Sequence, residues 1–182
     1  MTRLPLIDPH APGEAKPTLD AVNAQLKIVP NLFRLAANSP AALSALVQMD
    51  GALGKGVLRA RVRELIAIAV AQENGCDYCL SAHTAIGKMI GVPEQQLAAA
   101  RAGTADDAKV GAMLTLALQL VSERGRISTR ELAQAKASDI TDAEIVEIVA
   151  AVALNIFTNY LNIAADTEID FPVLRAAELT PA

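Results

Sequence analysis

Apolar residues recur along this chain at helical spacing, and Pro and Gly cut the pattern into helix-sized pieces. Leu19, Val22, Leu26 and Val29 mark one face of a first helix from Thr18 to Val29, closed by Pro30. Asn31 to Ala37 reads as a short piece. Ser39-Pro40 supplies an N-cap and a first-turn Pro for a helix to about Leu53, with Gly51 to Gly56 loosening its end. Val57 to Glu73 is apolar at Leu58, Val62, Leu65, Ile66, Ala69 and Val70, and Asn74-Gly75 stops it. Helices are expected next from about Cys76 to Ile90 and, polar-faced, from Pro93 to Arg101. Asp106 is the expected cap of a helix carrying Val110, Met113, Leu114, Ala117, Leu118 and Val121. Ser128 begins a piece to about Ala137. Thr141-Asp-Ala-Glu144 has the form of a capping box for the longest helix, which ends at Ala165. Alternating strand-like segments are absent, and the tail from Asp166 reads as irregular. The pattern predicts an all-α, single-domain bundle of roughly eight helices over residues 18–182. An extended arm over 1–17, broken by Pro5, Pro9, Pro12, Gly13 and Pro17, precedes it.

Composition narrows the function. At 182 residues and 52% hydrophobic, the chain can bury one sizeable core. Sixteen Lys and Arg against 20 Asp and Glu leave a net charge of −4, which argues against nucleic acid as a partner. With 3% aromatics and no Trp, base stacking and a membrane-interface belt are also disfavoured. The start lacks the apolar run of a signal peptide. Ile148 to Phe157 falls well short of the roughly 20 residues that span a bilayer. The expectation is a soluble, cytoplasmic protein with no membrane partner. In that reducing setting, two cysteines close together point to redox chemistry or metal binding rather than a structural bridge.

Both cysteines and one of the two histidines fall in the segment Glu64 to His83. With Cys76 opening a helix, Cys79 lies at i+3 and His83 at i+7, so all three share one face. Two Cys at that spacing reach disulfide distance. Free N–H groups and the dipole at a helix start favour a thiolate. An imidazole one turn on can hold or deliver a proton. The set suits a thiol peroxidase or a disulfide oxidoreductase: a thiolate attacks a peroxide oxygen, becomes a sulfenic acid, and condenses with the second Cys. Glu64 lies on the preceding helix, which the Asn74-Gly75 turn folds back. It either points inward to orient His83, or pairs on the surface with Arg61 or Arg63. Zinc held by Cys76, Cys79 and His83 with Glu64 or His10 is a weaker alternative, as are inert buried thiols. Asn155, Asn159 and Asn162 form a polar stripe on the last helix, read as buried amides bonding loop backbone or a subunit partner in preference to contacting substrate. Tyr160 is expected on another face, and His10 in solvent. Arg59, Arg61, Arg63, Lys88 and Arg101 read as surface charges.

Glu, eleven residues, Cys, two residues, Cys, three residues, His is a pattern matched at every spacing by Glu64, Cys76, Cys79 and His83. In this the chain resembles the AhpD-like alkylhydroperoxidases within the carboxymuconolactone decarboxylase superfamily. Pro30-Asn-Leu-Phe-Arg, Ser39-Pro40, Ala153 to Asn162 and Glu168-Ile-Asp-Phe-Pro172 extend the resemblance over most of the chain. The resemblance implies an AhpD-like helical bundle and a peroxidase dithiol that needs no cofactor or metal. It makes Cys79 the peroxide-reactive sulfur, Cys76 the resolving one, and Glu64 with His83 a proton relay. The dipole alone favours Cys76; His83 favours Cys79. The implied partners are a peroxide substrate, an external thiol or dithiol reductant, and further copies of the chain in a trimer or hexamer. One departure stands out: the best-studied branch has a His just before the second Cys, where this chain has Tyr78, a phenol that cannot shuttle protons as imidazole does. Two other functions compete. A lactone decarboxylase would handle a carboxylate substrate without a dithiol, and a redox-sensing oligomer would oxidise reversibly without turnover.

Overall fold

A computed structural model describes residues 2–178. Nine α-helices are present among them, against the roughly eight expected, and no strand. In chain order they are α1 (Lys16–Leu26), α2 (Asn31–Ala36), α3 (Pro40–Leu53), α4 (Ala60–Glu73), α5 (Asp77–Met89), α6 (Glu94–Arg101), α7 (Ala108–Ser122), α8 (Thr129–Ala137) and α9 (Asp142–Ala165). A 3₁₀ turn, Ala176–Glu178, follows in the tail.

α4 is the centre of the bundle. Every residue from Leu65 to Ala71 is buried, and a helix apolar all round must be enclosed by others. α5, α6, α7 and α9 enclose it. The main core joins Leu65, Ile66, Ile68 and Val70 to Leu80, Leu97, Leu114, Leu116 and Ile148. A smaller core, with Leu19, Leu35, Leu43 and Leu46, sits between α1, α2 and α3 and takes Leu154 and Leu161 from α9.

Helix ends follow local chemistry. Ser128 and Thr141 each form a complete capping box, with Glu131 and Glu144. α7 is capped by Asp107 rather than Asp106, its carboxylate accepting from the Val110 N–H at 2.9 Å. α4 starts at Ala60, three residues later than the apolar pattern suggested. The reason is long-range: the Glu147 carboxylate on α9 accepts from the Val57 and Leu58 N–H groups at 2.7 and 2.9 Å, holding that segment out of the helix. The N-terminal segment lies on its own chain. Arg3 N–H donates to Ala165 O, Ile7 N–H to Arg34 O, and Asn38 Nδ2 to Pro5 O.

α9 is long and apolar enough to cross a membrane by length and composition. The run Ile148 to Phe157 alone understated this. Here it serves as a core helix, burying Ile148, Ala151, Val152, Asn155, Asn159 and Asn162.

Candidate functional site

The site is built at the turn between α4 and α5. Gly75 makes that turn with φ +68, a backbone region open to glycine at no steric cost. The Cys76 N–H then returns to Ala71 O at 2.9 Å. Cys76 is the N-cap of α5, its sulfur accepting from the Cys79 N–H at 3.3 Å. Cys76 and Cys79 are paired as a disulfide with Cα atoms 5.4 Å apart, inside the usual range for such bridges. Both residues are almost fully buried, at 1% and 3% exposure.

Glu64 points inward from α4. Its Oε2 lies 2.8 Å from Nδ1 of His83, with side chains 17% and 26% exposed. Arg63 does not take Glu64 as a partner; it donates to Leu58 O. Burial pulls the His83 imidazole toward its neutral form, but the charge and hydrogen bond of Glu64, with Asp50 on α3 adding to them, hold its pKa above the ordinary value. His83 follows Cys79 by one turn on the same face of α5. The structure therefore brings Glu64 of α4 against His83 of α5, with the cysteine pair at the start of the same helix as His83.

Asn162 belongs with them. Its Nδ2 donates to Cys79 Sγ at 3.3 Å from α9. The stripe of three Asn was the signal for it, although it read as backbone-bonding. Asn155 does bond backbone, at Ala151 O. Asn159 Oδ1 accepts from Asn74 in the α4–α5 turn at 2.9 Å, so it braces that turn. Tyr160 is exposed, at 59%.

Tyr78 turns to other work. Its hydroxyl accepts from the Leu32 N–H at 3.0 Å, and its ring meets Phe171 edge-on at 5.8 Å. Burial pushes its pKa far above that of a free phenol, which keeps the hydroxyl protonated. Tyr78 thus ties α5 to α2 and to the tail.

The tail crosses the start of α5. Asp77 pairs with Arg175 at 2.8 Å and accepts from the Ala176 N–H at 2.8 Å. Ser81 Oγ accepts from the Leu174 N–H. Arg101, expected at the surface, is a tie: it donates to Gln72 at 3.0 Å and to Arg175 O at 2.9 Å. Lys88 does stay outside, on Glu94. A cavity of about 410 Å³ opens beside the tail, lined by Cys76, Tyr78, Asn162, Glu168 and Val173 among others. His10 is exposed and lines a separate cavity with Leu19, Asn23 and Arg34. Among the described residues no group of three His, Cys, Asp or Glu is placed to hold a metal ion.

Fold and site define an all-helical protein with a Cys-x-x-Cys pair at a helix start and a carboxylate–imidazole pair one turn on. Residues 40–123 match the carboxymuconolactone decarboxylase family, and solved AhpD-like, peroxidase-related proteins share the fold over most of the chain. An uncharacterized peroxidase-related protein from Silicibacter sp. TM1040 shares 25% identity with a TM-score of 0.80, over 92% of this chain and 91% of its own. An AhpD-core peroxidase-related protein from Ralstonia eutropha JMP134 shares 23% with a TM-score of 0.83, over 93% and 92%. The debrominase Bmp8, bound to 2,3,4-tribromopyrrole, has the same fold at 19% identity and a TM-score of 0.77, over 93% and 94%. No curated protein matches the sequence.

Proposed function

We propose that this chain is a thiol-dependent peroxidase that reduces hydrogen peroxide or alkyl hydroperoxides through a Cys76–Cys79 dithiol cycle. The observation that carries the reading is the Glu64–His83 pair, with His83 one helical turn beyond Cys79 on the helix that the bridged Cys76–Cys79 pair opens. In the reduced protein Cys79 thiolate attacks the terminal peroxide oxygen. The O–O bond breaks, Cys79 becomes a sulfenic acid, and His83 supplies the proton that leaves with the alcohol. Cys76 sulfur then attacks the sulfenic sulfur, water departs, and the disulfide closes. An external thiol or dithiol restores the pair. Glu64 keeps His83 oriented and favours its regaining a proton before the next peroxide is met.

The fold alone does not choose the reaction, since a debrominase shares it. The acidic rim of the cavity, with Asp166 and Glu168 exposed, speaks against a lactone carboxylate as substrate. A homo-oligomer in the cytoplasm is part of the proposal. Val146, Val149, Phe157, Tyr160 and Ile163 are exposed along one side of α9, a long apolar stripe suited to a second copy of itself. Peroxide consumption coupled to dithiothreitol, with protein mass recorded before and after alkylation, tests the function. Consumption and a pair that closes under peroxide are expected. A protein that leaves peroxide untouched while remaining alkylable at both sulfurs would overturn it.

A further inference from the structure

The two sulfurs have different surroundings. Cys76 is among the residues lining the cavity of about 410 Å³ and Cys79 is not, though both are almost wholly buried. Cys79 instead receives the amide of Asn162 at 3.3 Å. A disulfide sulfur or a thiolate has no proton to give, so the amide nitrogen is the atom that should face it. Asn162 also lines the cavity and is only 2% exposed. Its Oδ1 is buried with no hydrogen-bond partner among the described residues, an acceptor open to a donor that enters there.

Resting on the reading that this pair cycles, we infer that a thiol reductant enters at Cys76 and that Asn162 is a further catalytic residue, stabilising Cys79 as the departing sulfur. The incoming thiolate attacks Cys76 Sγ. A bond forms between its sulfur and Cys76, the Cys76–Cys79 bond breaks, and the electron pair leaves on Cys79, where the Asn162 N–H receives it. A second thiol, deprotonated, then attacks the reductant's own sulfur. A reductant disulfide departs, and Cys76 thiolate takes a proton from water. Two electrons pass from reductant to pair. Exchange of this kind is controlled by which sulfur can be reached and by how well the other leaves. The cavity beside Cys76 favours that sulfur for attack, and Asn162 serves the departure of the other. Its product is Cys79 as a thiolate, the form that attacks peroxide.

The same cavity sets the class of reductant. Asp166 and Glu168 stand exposed at its rim beside apolar Ile163 and Val173, and Asp77 is engaged by Arg175. An uncharged or cationic thiol is favoured there over an anionic one.

The test begins with the full-length oxidised protein and neutral mercaptoethanol. Exchange is quenched early with acid, free thiols are capped with N-ethylmaleimide, and tandem mass spectrometry locates the adducts. The expected species carries mercaptoethanol on Cys76 and maleimide on Cys79. Mercaptoethanol found chiefly on Cys79 would overturn the inference while leaving the peroxidase reading intact. A pair that no thiol opens would overturn both. Asn162→Leu keeps volume and removes the donor; exchange should slow about tenfold, the low end for losing a hydrogen bond to a charged group. In a reduced Cys76→Ser background, the same change should diminish the thiolate absorbance of Cys79 at fixed pH. Unchanged exchange and unchanged absorbance would remove Asn162 from the mechanism. Mercaptoethanesulfonate, an anion, should react more slowly than mercaptoethanol at equal thiolate concentration, with the gap closing in high salt. Equal rates at low salt would overturn the assigned class.

Discussion

Removing the Glu64 carboxylate, alone and together with the His83 ring, measures the interaction at the heart of the site. The two side chains meet at 2.8 Å and are 17% and 26% exposed, so water screens them only in part. Unit charges 4 Å apart at an effective dielectric of 20 attract by about 4 kcal/mol. Desolvating both groups offsets part of that. Hydrogen bonds to charged groups are worth about 1.5–3 kcal/mol net, and about 2 kcal/mol is the value expected here. A double-mutant cycle with Glu64→Ala and His83→Ala, read by urea unfolding, isolates the coupling. His83 is held above its ordinary pKa in the folded protein. Its contribution is therefore complete below about pH 6.5, the unfolded value, and is lost as pH rises through the folded one. At pH 6 the coupling should be about 2 kcal/mol. In alkali it should shrink to about 1 kcal/mol or less, the worth of a neutral hydrogen bond. Imidazole NMR shifts in Glu64→Gln give an independent reading. The His83 midpoint should fall. A coupling that is negligible at pH 6, or that grows with alkalinity, would refute the assignment of Glu64 as the group that charges His83.

Three further outcomes are expected. Cys79→Ser should abolish peroxide consumption, and Cys76→Ser should stall at a sulfenic acid that dimedone traps; wild-type turnover in both would end the dithiol mechanism. Tyr78→Phe should leave the Leu32 N–H without its acceptor, lowering stability by about 1–3 kcal/mol in a melt, with peroxide turnover per folded molecule unchanged. Gly75→Ala meets no atom within 4 Å, but must hold φ +68; a loss of about 1–2 kcal/mol in chemical denaturation is expected from the backbone alone.

What could be read in the chain was what lies close along it. Cys76, Cys79 and His83 share a face because helical geometry puts them there, and the Asn74-Gly75 turn folds α4 back so that Glu64 meets His83. The capping boxes at Ser128 and Thr141 are equally local. Asn162 comes from 83 residues beyond Cys79, and only the packing of α9 against α5 decides that its amide meets sulfur rather than backbone. The late start of α4 has the same origin, in a carboxylate 90 residues away. The tail from Asp166 has no periodicity to read, so its ties to Asp77, Ser81 and Arg101 left no trace in the pattern. Tyr78 sits where a second proton carrier would stand in the better-studied branch, and its hydroxyl has instead been drawn into holding α2.

The spacing of the two cysteine backbones carries one more consequence. Their Cα atoms already stand 5.4 Å apart within a single turn, a separation that suits a bridge without any shift of the chain. With both cysteines on one turn, the bridge makes only a four-residue loop, Cys76 to Cys79. It staples the first turn of α5 to itself and ties no distant parts of the chain together, so the fold rests on its packed helices and not on this link.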